Sequence, residues 1–311
     1  MMRVLVTGGA GYVGSVLIPE LLNRGHYVRC VDRLMYGGRG LLPCFIYPNF
    51  EFVRGDVLDA QLMSGALSDM DAVIHLAAIV GFPACNRDPD LARKINLDGT
   101  ILVDQTRRPD QPLIYASTGS NYGAVVGQLC TEETPLSPLT VYGETKTQAE
   151  RHVMTSGNAT AFRFATAFGV SNRMRLDLLI NDFVRQAVKD QHLIVYERTF
   201  KRTFIHVRDM ARAFIFALEN WDRVRDEVFN VGDERNNYSK ADVAELLHRK
   251  LEFYLHYAEI GTDQDKRNYE VSYEKLRQLG FECQITVEEG VDELIRAFNV
   301  LDPTNNEFTN V

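Results

Sequence analysis

Tyr142 and Lys146 stand four apart in the run VYGETKTQAE, where a helix should begin after the loop carrying Pro135 and Pro138. One helical turn puts both side chains on the same face. A phenol is a poor base at neutral pH because its reference pKa is about 10, but a neighbouring ammonium stabilises the phenolate, which makes Tyr142 a candidate general base. A YxxxK spacing alone is common on exposed helices and needs a second signal. That signal is Thr7-Gly8-Gly9-Ala10-Gly11-Tyr12-Val13-Gly14, which follows the strand-like Val4-Leu5-Val6 and precedes a helical apolar pattern from Ser15 to Arg24. In such a strand, turn and helix, Gly8 allows the turn, Gly11 lets the main chain approach a pyrophosphate and Gly14 permits close packing. The helix N-terminus adds amide donors and a positive dipole. Gly8, Gly11, Tyr12 and Val13 are therefore candidate dinucleotide contacts. Asp32 ends the next strand-like run at about the ~20-residue spacing of a ribose-binding carboxylate, which favours NAD over NADP; Arg33 pulls weakly the other way. The two signals together point to a dinucleotide-binding unit with a tyrosine placed as a candidate general base.

These residues need a frame. The first half repeats short apolar runs (RVLVTG, YVRCVD, FEFVRGD, AVIHLAA, PLIYAST) separated by longer amphipathic segments, the rhythm of a parallel sheet wrapped by helices. AVIHLAA is almost continuously apolar, as a strand covered on both faces should be. Beyond Phe168 the rhythm changes: an Arg-rich stretch from Ser171 to Arg185, strand-like LIVY and TFIHV, and a helix from Met210 to Glu219. The expected fold class is α/β, a Rossmann-type doubly wound parallel sheet with a smaller α+β substrate lobe. Residues 1–169, rejoined by 203–230, should form the NAD-binding unit, and residues 170–202 and 231–311 the second. The polar end from Asp302 to Val311 should fray.

Composition narrows the class. With 45% hydrophobic and 24% charged residues in 311, the chain is globular, and a net charge of -8 opposes a general nucleic-acid or membrane-surface role. Five scattered cysteines without a CxxC pair suit reduced thiols, and no structural metal is expected. Met1 runs straight into a strand without a secretory leader, and no segment is long and apolar enough to span a bilayer, so a cytoplasmic location is expected.

TGGAGYVG, GDVLD, HLAA, YAST with the following YG, YGETK, RFATAFG, RTFIHVRDMARA and FNVG, in this order, resemble the extended short-chain dehydrogenases that modify nucleotide sugars, along essentially the whole chain. The resemblance implies an NAD-dependent enzyme acting at C4 of a nucleotide-diphosphate sugar through a 4-keto intermediate. It implies Asp56 and Val57 at the adenine, Leu76, Ala77 and Ala78 along the cofactor, and Asn96 on the cofactor side. His75 reads as a satisfied strand histidine. Counting back from Tyr122-Gly123 places the catalytic threonine at Thr118, hydrogen-bonded to the reacting hydroxyl and to Tyr142, with Lys146 on the nicotinamide ribose. A homodimer is also implied, through Asp90–Arg107 and Tyr142–Ser156.

The departures are informative. The 4,6-dehydratases of this family have Asp-Glu after the threonine, an acid and a base for eliminating water; Gly119-Ser120 can do neither. Enzymes that epimerise at C3 and C5 carry a cysteine where Ser120 stands. What remains is hydride chemistry, with 4-epimerisation the leading outcome and 4-dehydrogenation or reduction the alternative. The tracts RMRLDLLINDF and DKRNYEVS look especially like the GDP-heptose 4-dehydrogenase branch, and Thr166 replaces the asparagine of the common 4-epimerases. A non-catalytic NAD-binding regulator is the class-distinct alternative. A diphosphate calls for guanidinium forks on loops: family position gives Arg202 and Arg267, with Arg175 third. Ser120, Thr166 and Asn181 complete the expected sugar or phosphate contacts.

Overall fold

The structure, a computed structural model, describes residues 1–259, 268–301 and 308–310. In the first half run β1 (Arg3–Thr7), β2 (Tyr27–Asp32), β3 (Phe50–Arg54), β4 (Ala72–His75), β5 (Leu113–Thr118), β6 (Ala124–Cys130) and β7 (Ala159–Phe164). They are followed by β8 (Thr166–Phe168), β9 (His192–Tyr196), β10 (Lys201–His206), β11 (Val228–Val231), β12 (Asn237–Ser239), β13 (Tyr254–Ala258) and β14 (Asn268–Val271). Seven of them make one sheet in the order β11-β7-β5-β4-β1-β2-β3, parallel throughout. The order reverses direction between β1 and β4, and ligands of open parallel sheets bind at the carboxyl ends of the strands at such a switch point.

Alternation along β1 explains why both sheet faces are covered. Val4 and Val6 join an apolar cluster with Leu17, Ile18 and Phe214, whereas Leu5 joins Val73, Val103 and Val153 on the other face. The helices Gly14–Asn23 and Val207–Glu219 therefore pack on one side, and Ala60–Leu67, Gly99–Thr106 and Val141–Ser156 on the other. The expected α/β class is the observed one. β11 returns to the main sheet after the excursion of β8–β10. All five cysteines are buried and unpaired.

The second half builds a smaller mixed lobe from β8, β10 and β12, the pair β9–β13, and the helices Leu179–Arg185, Lys240–Lys250 and Val287–Ala297. Phe168, Phe204, Val243, Val291 and Phe298 form its core. Both long C-terminal helices start with capping boxes, at Ser239/Asp242 and Thr286/Glu289. β6, a strand outside the apolar runs named above, pairs in parallel with β14. One sequence expectation needs correction. The chain end is not simply frayed: the Phe308 carbonyl accepts from the Leu176 amide at 2.7 Å, and the Thr309 carbonyl accepts from Arg173 at 3.2 Å. Among the described residues no helix is long and apolar enough to cross a membrane.

Candidate active site

Gly8 adopts φ +70, and a Cβ there would lie 2.6 Å from the Ala77 nitrogen, so the glycine turn is pressed against the end of β4. A Cβ on Gly14 would fall 2.5 Å from the Gly9 Cα: this glycine packs against its own turn. A Cβ on Gly11 would meet only the Gly8 carbonyl, at 3.2 Å, which leaves the main chain open to the cavity. No side chain caps the helix Gly14–Asn23; the Ser15 amide donates to the Gly11 carbonyl and the Val16 and Leu17 amides to the Val13 carbonyl, so what the helix offers an anion in the cavity is its positive dipole end beside Gly11, Tyr12 and Val13. Asp32 accepts from the Ala10 amide at 3.0 Å and the Leu34 amide at 2.7 Å, which fixes its carboxylate at the cavity edge; burial raises its pKa. Arg33 pairs with Asp56 at 3.1 Å, so its charge is already engaged. This cradle fits the pyrophosphate and ribose of a dinucleotide.

Tyr142 lies at the start of the helix Val141–Ser156, whose N-cap Thr140 accepts from the Gly143 amide and whose end is marked by Gly157 at φ +75. Lys146, one turn on, is 3% exposed, and its Nζ sits 4.0 Å from the centre of the Tyr115 ring. Burial pushes its pKa down to about 7, against the opposing pull of the Glu150 carboxylate. Thr118 ends β5; its hydroxyl accepts from the Ser120 amide at 3.2 Å and donates to the Ser120 hydroxyl at 3.1 Å.

One cavity gathers the glycine turn with Tyr12, Val13, Asp32, Asp56, Val57, Leu76, Ala77, Ala78, Thr118, Ser120, Tyr142, Lys146, Thr166 and Arg175. Other candidates lie elsewhere. Asn96 is fully buried, accepting from the Ile79 amide at 2.7 Å and donating to the Ile79 carbonyl and the Thr145 hydroxyl; it shapes the loop behind the site. Asn181 is equally buried and ties Gly169 to the Arg175 carbonyl. Arg202, expected on a loop, is 2% exposed within β10 and donates to the Lys201 carbonyl. Arg267 lies outside the described residues. Arg175 reaches the cavity, but Asp177 pairs with it; burial works against its charge, and the carboxylate more than offsets that.

Two contributors went unnoticed in the sequence. Glu150, two turns beyond Tyr142, is held by Arg163 and accepts from Ser117 and Asn121, joining the Lys146 helix to the strand and turn that carry Thr118. The i, i+4, i+8 spacing of Tyr142, Lys146 and Glu150 was its signal. Arg173 is the other: it lines the same cavity at 4% exposure.

His75 is 1% exposed between the Thr7 hydroxyl, at 2.7 Å, and the Thr100 hydroxyl, at 3.0 Å. Burial, reinforced by Lys146, pushes its pKa down to about 3, so the folded protein holds it neutral while the unfolded chain takes up a proton below about 6.5. The stability it contributes is complete above about pH 6.5 and is lost as pH falls toward about 3, by an amount on the order of a few kcal/mol. Urea midpoints between pH 4 and 7 should fall less steeply in His75→Asn than in the parent; equal slopes would contradict this account.

Residues 4–232 match the model of the NAD dependent epimerase/dehydratase family. The chain is 30% identical over 269 residues to a UDP-glucose 4-epimerase of Lactobacillus helveticus, covering 78% of this chain and 80% of that protein. It is 28% identical over 316 residues to UDP-glucuronic acid decarboxylase 1 of Arabidopsis thaliana, covering 96% and 70%. Among solved structures, the UDP-glucose 4-epimerase of Thermus thermophilus in complex with NAD has the same fold, with a TM-score of 0.85 at 24% identity over 97% of this chain and 100% of that one.

Proposed function

The chain belongs to the NAD dependent epimerase/dehydratase family, and from that premise we propose that it is an NAD-using 4-epimerase of a nucleotide-linked sugar. The observation that carries the proposal is the convergence of Thr118, Tyr142 and Lys146 on the cavity that also holds the glycine turn and Asp32. The glycine turn would hold the pyrophosphate of the dinucleotide and Asp32 its adenosine ribose. Bound NAD supplies the hydride acceptor and, later, the donor. Tyr142 takes the proton of the C4 hydroxyl, Thr118 orients that hydroxyl, and Lys146 supplies the charge that favours the phenolate. Inversion at C4 would follow if the 4-keto sugar turned over in the cavity before its reduction, with Tyr142 returning the proton to the C4 oxygen. Gly119 and Ser120 offer neither acid nor base for eliminating water, which sets this reading apart from a 4,6-dehydratase.

The relatives described above are named for UDP sugars, and this favours a UDP-linked substrate. A second reading, 4-dehydrogenation of a GDP-heptose-like sugar, draws on Thr166, which lines the cavity where 4-epimerases of the resembling family carry asparagine. Incubation of the protein with UDP-, GDP-, dTDP- and CDP-sugars, with NMR of the products and absorbance at the NADH band, tests both. An inverted sugar without net NADH is the expected result. A 4-keto product with stoichiometric NADH would replace the epimerase with a dehydrogenase, and no conversion of any sugar would overturn both in favour of a regulator.

A further inference from the structure

We propose that Arg173 is a cofactor-binding residue whose guanidinium grips the diphosphate of the dinucleotide from the second half of the chain. The proposal rests on the NAD reading above and is independent of the sugar. Three contacts bring Arg173 to the phosphate end of the cavity. Its amide donates to the Ser15 hydroxyl at 3.2 Å, in the first turn of the helix Gly14–Asn23. A Cβ placed on Gly40 would come within 3.1 Å of the Arg173 Cβ and 3.0 Å of the Ser15 Cβ, so the two segments approach closely at this glycine. Its guanidinium carbon stands 4.4 Å from the centre of the Tyr36 ring, beyond Asp32 in the chain, and Tyr36 lines the same cavity.

The side chain is held but not neutralised. One terminal nitrogen donates to the Thr309 carbonyl at 3.2 Å, while the buried Nε has no hydrogen-bond partner. A buried guanidinium N–H without an acceptor is costly, and a phosphate oxygen is the acceptor whose geometry it matches. Burial, then repulsion from Arg175, brings its pKa down to about 10, a strain that an arriving anion relieves. Arg175 cannot substitute, because Asp177 already pairs with it. The segment Phe308–Asn310 completes the arrangement. Asn310, 7% exposed, lines the cavity, donates to the Val80 carbonyl at 3.4 Å and has a buried Oδ1 without a partner. The segment thus bridges the loop after β4 and the Arg173 tract across the cofactor cavity.

The test is calorimetric titration of wild type, Arg173→Gln and Arg173→Lys with NAD, ADP and adenosine, with thermal unfolding of each unliganded protein as the control. In Arg173→Gln the affinities for NAD and ADP should fall about 10–100-fold, the span of a lost charge-assisted hydrogen bond, while adenosine binding changes less than about threefold. Arg173→Lys keeps the charge without the fork and should lose less; it carries the test alone if Arg173→Gln does not fold. Unchanged NAD affinity in the folded variants would overturn the proposal, as would an equal loss for adenosine, which would make Arg173 a wall of the adenosine site. Wild type that fails to bind NAD would instead overturn the cofactor reading on which the proposal rests.

Discussion

Tyr142→Phe should fold, bind NAD within about threefold of wild type, and turn over nucleotide sugar about 10²–10⁴-fold more slowly, the contribution of a positioned acid–base group. The phenol is the one titratable hydroxyl on the Lys146 helix face that opens into the cavity, and removing its oxygen leaves the ring to fill the same space. The loss should lie in kcat, because the group acts on the proton in transit rather than on the bound nucleotide. Steady-state kinetics with the sugar found by the panel, beside NAD titration of the same preparation, checks it; wild-type kcat in a protein that binds NAD would remove Tyr142 from the mechanism.

Arg163→Met should cost about 3–5 kcal/mol, a large share of the roughly 5–15 kcal/mol that stabilises a typical domain. Arg163 in β7 and Glu150 are 7% and 3% exposed, with Nη2 to Oε1 at 2.6 Å and Nε to Oε1 at 3.1 Å. The guanidinium also donates to the Tyr122 hydroxyl at 3.1 Å and the Glu132 carbonyl at 3.0 Å. Methionine fills much of the volume but strands a buried carboxylate among Ser117, Asn121 and Lys146. The unpaired carboxylate would also act more strongly on Lys146, shifting its pKa upward from about 7. Urea unfolding measures the loss, and Arg163→Met combined with Glu150→Gln should recover about half of it, because the second change removes the stranded charge. A single-variant loss below about 1 kcal/mol would mean that the pair is not a stabilising element.

The parallel sheet was legible because its strands are buried on both faces: Val4-Leu5-Val6 and Ala72-Val73-Ile74 carry their environment in their composition. The glycine turn was legible because the need for φ +70 at Gly8 and for an open approach at Gly11 leaves little choice of residue. The arginines were not, because a guanidinium's role depends on partners far along the chain. Arg202 faces the interior of β10 instead of a loop, Arg175 is met by Asp177, and Arg173 is defined by Ser15, Tyr36 and Thr309. Likewise β6 and β14 lie about 140 residues apart and pair outside the main sheet, a contact that local periodicity cannot register.

The cavity that begins with Gly8 is finished by Tyr269 and Asn310, and this has a consequence for biosynthesis. At roughly 5–20 residues per second, the glycine turn leaves the ribosome many seconds before the segment that touches Val80 is made. β11, the outermost strand beside β7, is also late, so an early chain exposes that sheet edge. A nascent chain can therefore collapse around β1 to β5 and even meet its dinucleotide through the glycine turn, but the complete pocket waits for Asn310 to arrive.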